Sequence, residues 1–388
     1  MALPTVQTFA DCADFPLTVS PFLSQLISLP TRLIDSGTDI QALRHIYITT
    51  NPFITAISFA IFLAPVFLIA SEVTRNYSQV DRSWSILPIV YNVHYSVWSR
   101  LNGLPTGIID TICGITIIWG LRLTFNYWRK GGYSVGSEDY RWAIVRRKIN
   151  NHFLFFLFNL TFISLAQPVL LALITAPTYV FVLLSSVSEG SKHELSDSLF
   201  SRIILFFVFI EALADQQQWR FQKAKKEYNE IARIPSRYKG IYTNDDLSRG
   251  FVVSGLWAWC RHPNFVAEQA VWLALYQWSC VKTDQLYNWT GIGSLCYVAL
   301  FQGSTYLTEK ITASKYPDYK QYQLRVGKFI PRLGVEARGE TPISHRSHSY
   351  QKRRQLKSRG RQPLFSLDWS FYHAIAIFWT LIYHFTYA

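Results

Sequence analysis

The stretch Gly255-Leu-Trp-Ala-Trp-Cys-Arg-His-Pro-Asn-Phe-Val-Ala-Glu-Gln-Ala-Val-Trp-Leu-Ala-Leu-Tyr276 decides how this chain is read. An aromatic lead-in, opened by a glycine, meets Arg261-His262-Pro263-Asn264, and an apolar helix begins there. Pro263 suits a first helical position, because its missing N–H would have no intrahelical partner. Asn264 and Glu268 are one turn apart and share a helix face. A carboxylate one turn inside an otherwise apolar helix must have a partner. Inside a membrane such an ionisable group is a functional candidate by default. The plainer alternative is a structural cap, with Glu268 paired to an arginine.

Composition supports a membrane setting. Of the 388 residues, 49% are hydrophobic and only 16% are charged, where a soluble domain has about a quarter charged. The 13 Trp, 22 Tyr and 27 Phe suit the aromatic belts of a polytopic membrane protein. A net charge of +13 raises the question of nucleic acid, but the cations lie in loops between apolar segments. That pattern orients spans by the positive-inside rule and does not track phosphates. The five cysteines form no CxxC or Cys/His cluster, so neither a zinc site nor a disulfide framework is expected. No basic region precedes Asp11 and Asp14, so the first spanning helix is expected to act as the insertion signal.

Along the chain, residues 1–50 read as a lumenal or interfacial segment with short helices at Phe15–Leu29 and Ile40–Ile48. Residues 51–332 read as one membrane domain with spans at Phe53–Ala70, Trp84–Trp98, Ile108–Trp128, Phe153–Leu184, Leu199–Ala214, Phe265–Val281 and Ile292–Leu307. Phe153–Leu184 is too long for one straight span, and Pro168 and Pro177 are expected to break it. Residues 333–363 form a basic polar tail, and 364–388 carry an additional short apolar helix over Phe371–Tyr383. The basic loops follow the third, fifth and seventh spans, which places them together on the cytosolic side.

Three further constellations carry polar chemistry. The third span ends on Arg122, Asn126, Arg129 and Lys130, and Lys130-Gly-Gly132 offers a close backbone approach to an anion. The plainer reading of that end is interfacial anchoring by snorkelling cations and aromatics. Glu211 and Asp215 are one turn apart near the end of the fifth span, where a carboxylate pair needs cations, a shared proton or a polar ligand, and Arg220, Lys223 or the cationic third-span end could supply the charge. The basic segment with Tyr316 could stack a base and hold phosphates, or simply lie at the interface as an amphipathic helix.

These motifs together are similar to a known pattern. Gly-Leu-Trp followed by Arg261-His-Pro-Asn-(x)3-Glu268 resembles the C-terminal signature of the steroid 5-alpha-reductase superfamily. Arg122-Leu-Thr-(x)-Asn-Tyr, Arg129-(x)-Gly-Gly, Glu138-Asp-Tyr-Arg-Trp142, Asp81-Arg-Ser-Trp84 and Ala214-Asp-Gln-Gln217 resemble its DUF1295 branch. The resemblance covers roughly residues 75–332. It implies an all-α, polytopic transmembrane helix bundle of about seven spans, resident in the endoplasmic reticulum, enclosing NADPH from the cytosolic side. It implies that Asn264 and Glu268 hold the nicotinamide end, with Asp215, Arg249, Arg261, His262 and Tyr316 around the cofactor. The Arg122–Gly132 segment, with Asn126 and Arg129, would lie over the adenosine phosphates.

The tyrosine that polarises the substrate in steroid reductases has no counterpart here, because that neighbourhood is Trp119-Gly-Leu121. Tyr91, Tyr95 and Asp81, with His94 nearby, are the candidates for substrate polarisation. The expected activity is NADPH-dependent reduction of a carbon–carbon double bond in a lipophilic small molecule. The partners are then the bilayer and that substrate, with no nucleic acid and no metal. One alternative is an S-adenosylmethionine-dependent membrane methyltransferase of the isoprenylcysteine or phospholipid type, although Phe265 and Ala267 replace its usual Tyr and Gly. The other is a non-catalytic lipid-binding protein.

Overall fold

A computed structural model of the chain describes residues 2–187, 190 and 192–331. Seven long helical segments organise the described residues: α1 (Pro52–Thr74), α2 (Leu87–Leu101), α3 (Gly107–Arg129), α4 (His152–Leu184), α5 (Leu195–Ile231), α6 (Pro263–Lys282) and α7 (Gly291–Lys315). There is no strand among them, only an isolated bridge between Cys260 and Gly327. Three segments are long and apolar enough to cross a membrane: α1 and α3, each 23 residues, and α4, 33 residues. At 1.5 Å per residue, 23 residues extend about 34 Å, enough for a hydrocarbon core of about 30 Å. The other expected spans differ in character. α2 has 15 residues, about 22 Å of helix, while α5, α6 and α7 mix apolar faces with buried charges. The tail 333–363 and the apolar helix expected in 364–388 lie outside the described residues.

Local sequence explains the helix boundaries. Asn51 caps α1 by accepting from the amides of Phe53 and Ile54, and Pro52 occupies the first turn. α4 is interrupted as its prolines demand, but by two different devices. Before Pro168 the backbone widens into a π-helical stretch, Asn159–Ala166, and then resumes as Gln167–Leu173. The wider turns accommodate a ring that an α-helical register would press against the carbonyl four residues back. Before Pro177 the helix stops at Ile174–Thr175, and a new one, Ala176–Leu184, starts with Pro177 in its first turn.

The chain divides into two compact units. The first comprises Met1–Ala212 and Ala267–Thr308. Within it α2 and α3 pack against one another. The N-terminal helices Leu23–Ser36 and Ile40–Thr49 belong to this unit, and Gln25 Oε1 accepts from the Asn51 amide at 2.8 Å. The Tyr179 hydroxyl donates to the Thr18 carbonyl at 2.7 Å and accepts from Asn51 Nδ2 at 2.8 Å. His94 Nε2 lies 2.9 Å from the Pro52 carbonyl, which must accept, so Nδ1 accepts from the Tyr47 hydroxyl at 2.8 Å. The second unit comprises Leu213–Val266 and Glu309–Ala388, described to residue 331. It is built on an aromatic core that includes Phe221, Tyr238 and Trp257, with a second cluster of Phe251, Tyr319 and Tyr322.

Candidate functional site

In the first unit the site grows from Glu268, which is 4% exposed. Trp272, one turn further along α6, donates its indole N–H to Oε1 at 3.1 Å. Trp119 of α3 donates to Oε2 at 2.9 Å, and the Tyr297 hydroxyl of α7 donates to Oε1 at 2.6 Å. Arg122, one turn beyond Trp119, brings Nη2 to 3.5 Å from Oε2 and to 2.7 Å from Glu211 Oε1. An ionised carboxylate offers about four lone-pair sites; the two indoles and the phenol fill three of them by hydrogen bonds, and the Arg122 guanidinium stands beside the carboxylate as an ion pair. Glu268 therefore fixes two indoles, a phenol and a guanidinium in one place. Tyr297 is itself held from the other side, where Trp84 Nε1 donates to its oxygen at 3.3 Å. The ion-pair alternative for Glu268 is thus realised, with Arg122 as the arginine.

The polar segment after α3 is stapled to residues 76–84. The Ser137 carbonyl accepts from Asn76 Nδ2 at 2.8 Å and from Arg82 Nη2 at 2.9 Å. Glu138 accepts from the Tyr77 amide at 3.0 Å, and the Asp139 amide donates to Ser78 Oγ at 2.8 Å. The Lys130-Gly-Gly132 turn departs from its expected use. Gly131, at φ +81°, and Gly132 close the helix in a Schellman motif, their amides bonding the Trp128 and Tyr127 carbonyls at 2.9 Å each. Those amides end the helix and are not presented to an anion. Asn126 is buried on the same helix, and the Arg129 guanidinium lies 5.4 Å from the centre of the Phe125 ring.

The polarisation candidates fall into different settings. Asp81 accepts from Trp142 Nε1 at 2.8 Å, which ties it into the staple just described. Tyr91 and Tyr95 are 1% and 0% exposed on α2. The Tyr91 hydroxyl has no hydrogen-bond partner among the described residues.

In the second unit Asn264 donates from Nδ2 to Asp215 Oδ1 at 3.3 Å. Its buried Oδ1 has no partner among the described residues. Arg261 and His262 converge on Glu309. Arg261 is bidentate, Nε to Oε1 at 2.6 Å and Nη2 to Oε2 at 3.2 Å, and His262 Nε2 reaches Oε1 at 2.9 Å. Gln323 Nε2 adds a fourth donor at 2.9 Å. Arg261 Nη1 also donates to the Val326 carbonyl, and the Arg261 amide donates to the Gly327 carbonyl at 2.9 Å. Burial lowers His262 from its ordinary 6.5, so the imidazole is neutral and donates from Nε2.

Arg249 pairs with Asp246 at 3.1 Å. The Tyr316 hydroxyl accepts from Lys225 Nζ at 2.6 Å, with the Lys315 ammonium 5.4 Å from the ring centre. Burial works to raise that phenol, but the Lys225 and Lys315 ammonium groups bring it below its ordinary range.

Sequence reasoning found the charges and the cationic end of the third span as a partner for Glu211, but missed the aromatic donors to Glu268. Trp272 lies four residues from Glu268 and Trp119 three from Arg122, spacings that could have been read on a helix face. Tyr297 comes from a distant segment and carries no such signal.

The family described as "Protein of unknown function (DUF1295)" matches residues 66–326. An uncharacterised protein of Schizosaccharomyces pombe, C594.04c, is 38% identical over 333 residues, 85% of this chain and 93% of its own length. No solved structure matches the chain. The chain belongs to the DUF1295 family.

Proposed function

We propose that this DUF1295-family membrane protein is an NADPH-dependent reductase of a carbon–carbon double bond conjugated to a carbonyl in a lipophilic substrate. The observation that carries the reading is Asn264. Its Nδ2 is committed to Asp215, and its buried Oδ1 faces no protein donor among the described residues. A buried amide oxygen left in that state costs about 1–3 kcal/mol, and a carboxamide N–H of a nicotinamide would remove the cost. Asp215 fixes which end of the Asn264 amide is presented.

NADPH would supply a hydride to the β-carbon of the enone, and one proton at the α-carbon completes a saturated ketone and NADP+. During that step negative charge develops on the carbonyl oxygen, and a placed donor stabilises it. The Tyr91 and Tyr95 hydroxyls, both buried and without a hydrogen-bond partner among the described residues, are the donors the first unit offers. Glu268 has a supporting part in this reading: it locks Trp119, Trp272, Tyr297 and Arg122. All seven long helices are taken as spans, with the endoplasmic reticulum as the compartment and the cofactor reached from the cytosol. The basic loops after α3, α5 and α7 support that orientation.

Detergent-purified protein tests the reading by NADPH binding. Asn264→Ala is expected to weaken binding about fivefold to tenfold, the worth of one hydrogen bond. Glu268→Gln is expected to weaken it at least as much, because it disorders the donors around it. Tight binding of S-adenosylmethionine with no NADPH signal would replace this reading with a methyltransferase. If neither ligand bound, the protein would be a non-catalytic lipid binder.

A further inference from the structure

Nothing above assigns a surface to the helix Leu23–Ser36 of the first unit, and its side chains fall into three sectors. At about 100° per residue, each sector takes up about 60° of the helix circumference. Gln25, Leu29, Arg32 and Ser36 form the inward one. Leu29 is buried, Gln25 Oε1 accepts from the Asn51 amide at 2.8 Å, and Arg32 donates to Thr49 Oγ1 at 3.1 Å and to Thr50 Oγ1 at 3.4 Å. Ser24, Ser28, Thr31 and Asp35 form a polar, exposed sector. Leu23, Ile27, Pro30 and Ile34 form the third, apolar and also exposed, Ile27 by 82% and Ile34 by 78%. A helix on a soluble protein turns its apolar stripe to the core. Here Gln25 and Arg32 face the protein while the isoleucines face outward.

We infer that this helix lies in the plane of the membrane beside the start of α1, with Leu23, Ile27, Pro30 and Ile34 sunk into the acyl chains of the leaflet and Ser24, Ser28, Thr31 and Asp35 in water. The inference rests on α1 being a span and is independent of the reductase reading.

Three observations select lipid as the cover. First, the level is right. Asn51, which Gln25 holds, is also the cap of α1, so the helix is fixed where α1 begins. Outward apolar side chains on α1 begin with Phe59, Ile61 and Phe62, and Phe59 lies about 10 Å beyond Pro52. A stripe beside the mouth of a span meets the boundary of head groups and acyl chains, where interfacial helices bury their apolar face about 5–10 Å. Second, two adjoining exposed sectors of opposite polarity need two solvents at once. Only the surface of a bilayer presents hydrocarbon and water within the width of one helix. Third, the stripe is too small for a second copy. Four aliphatic side chains offer on the order of 300 Å², and each partner of a stable complex contributes about 800 Å². The polar sector carries one acid, Asp35, and no cation. Apolar burial therefore holds the helix without help from anionic lipid, and zwitterionic lipid is enough.

The test is spin-label electron paramagnetic resonance on the full-length protein in phosphatidylcholine vesicles. The exposed Cys296 is first replaced by Cys296→Ser, and a nitroxide is then attached at Ile27→Cys, Ile34→Cys, Thr31→Cys, Asp35→Cys or, in α1, Phe62→Cys. Each label is probed with oxygen, which partitions into lipid, and with a neutral nickel chelate, which stays in water. Ile27→Cys and Ile34→Cys are expected to favour oxygen at a depth of about 5–10 Å, and Thr31→Cys and Asp35→Cys to favour nickel. Phe62→Cys lies about 15 Å along α1 from Pro52 and should read near the middle of a core about 30 Å thick. An unchanged thermal midpoint shows that each labelled variant is folded. Nickel favoured at all four helix positions overturns the inference. Shielding of Ile27→Cys and Ile34→Cys from both reagents overturns it as well, and spin–spin broadening that fades on dilution with unlabelled protein would then identify a second copy as the cover. If Phe62→Cys favours nickel, α1 is not a span and the seven-span reading falls with the inference. If Phe62→Cys favours oxygen and Ile27→Cys favours nickel, the inference alone falls.

Discussion

At the scale of single residues, the first unit is governed by the way Arg122 serves two acids. Its guanidinium bridges Glu211 and Glu268, all three nearly buried. Removing one partner from such a group leaves charge uncompensated, at a cost of about 3–5 kcal/mol. Arg122→Gln is therefore expected to lower the thermal midpoint in detergent sharply, and adding Glu211→Gln is expected to recover more than half of the loss. A single variant as stable as the parent would show that the bridge carries no weight. In the second unit the matching cluster responds to pH. His262, lowered by burial, stays neutral in the folded protein while the unfolded chain takes up a proton below 6.5. Stability is thus present above 6.5 and falls as pH drops below it. A thermal midpoint followed from pH 7.5 to 5 should fall in the parent and fall less in His262→Gln. An equal fall in both would place the acid response elsewhere. The ionisable residues themselves were readable in the sequence, because acids and arginines stand out in apolar helices. Their aromatic partners were not, because tryptophan and tyrosine in such a chain read first as interfacial belts, and Tyr297 reaches Glu268 only through packing.

At the scale of elements, two glycines separate conformational need from crowding. Gly131 adopts φ +81° with open space around it, the nearest atom to an added Cβ being Ser134 Oγ at 3.6 Å. Gly255 adopts φ +66°, and a Cβ there would lie 2.7 Å from the Gln217 amide, which holds the Leu256 amide at 3.0 Å. Gly131→Ala should cost about 1 kcal/mol, the penalty of a left-handed non-glycine residue. Gly255→Ala should cost clearly more, because it also displaces Gln217 from the lead-in to Arg261. Equal losses of thermal midpoint would mean that Gln217 yields freely. The glycine-led lead-in was legible as a special segment, and its reason was not, since Gln217 lies nearly forty residues away. The α4 prolines show the same limit. Their presence announced breaks, but sequence offers no rule for choosing a π stretch before one and a clean stop before the other.

At the scale of the whole molecule, the sequence predicts about seven spans, and three helices meet the requirement by length and apolarity alone. The difference is physical. A hydropathy pattern sees only the average polarity of a helix, whereas α6 combines Glu268 and Lys282 with buried tryptophans and satisfies its charges internally. Such a helix is less apolar than a lipid-exposed one and yet can sit in a bundle, provided each charge is paired. Orientation can be tested where the apolar signal is strongest, across α3. Val135 is fully exposed in the polar loop after α3, among the cations Arg129, Lys130 and Arg141, and Asn102 is exposed in the connection before it. The 23 residues between these loops extend about 34 Å, so the two positions should face opposite compartments. In sealed microsomes carrying a cysteine at one position or the other, a membrane-impermeant maleimide should modify Val135→Cys at once. Asn102→Cys should react only after detergent opens the vesicles. Equal reactivity of the two would mean that α3 does not cross the membrane, and the reverse order would turn the basic loops, and the proposed cofactor entrance with them, away from the cytosol.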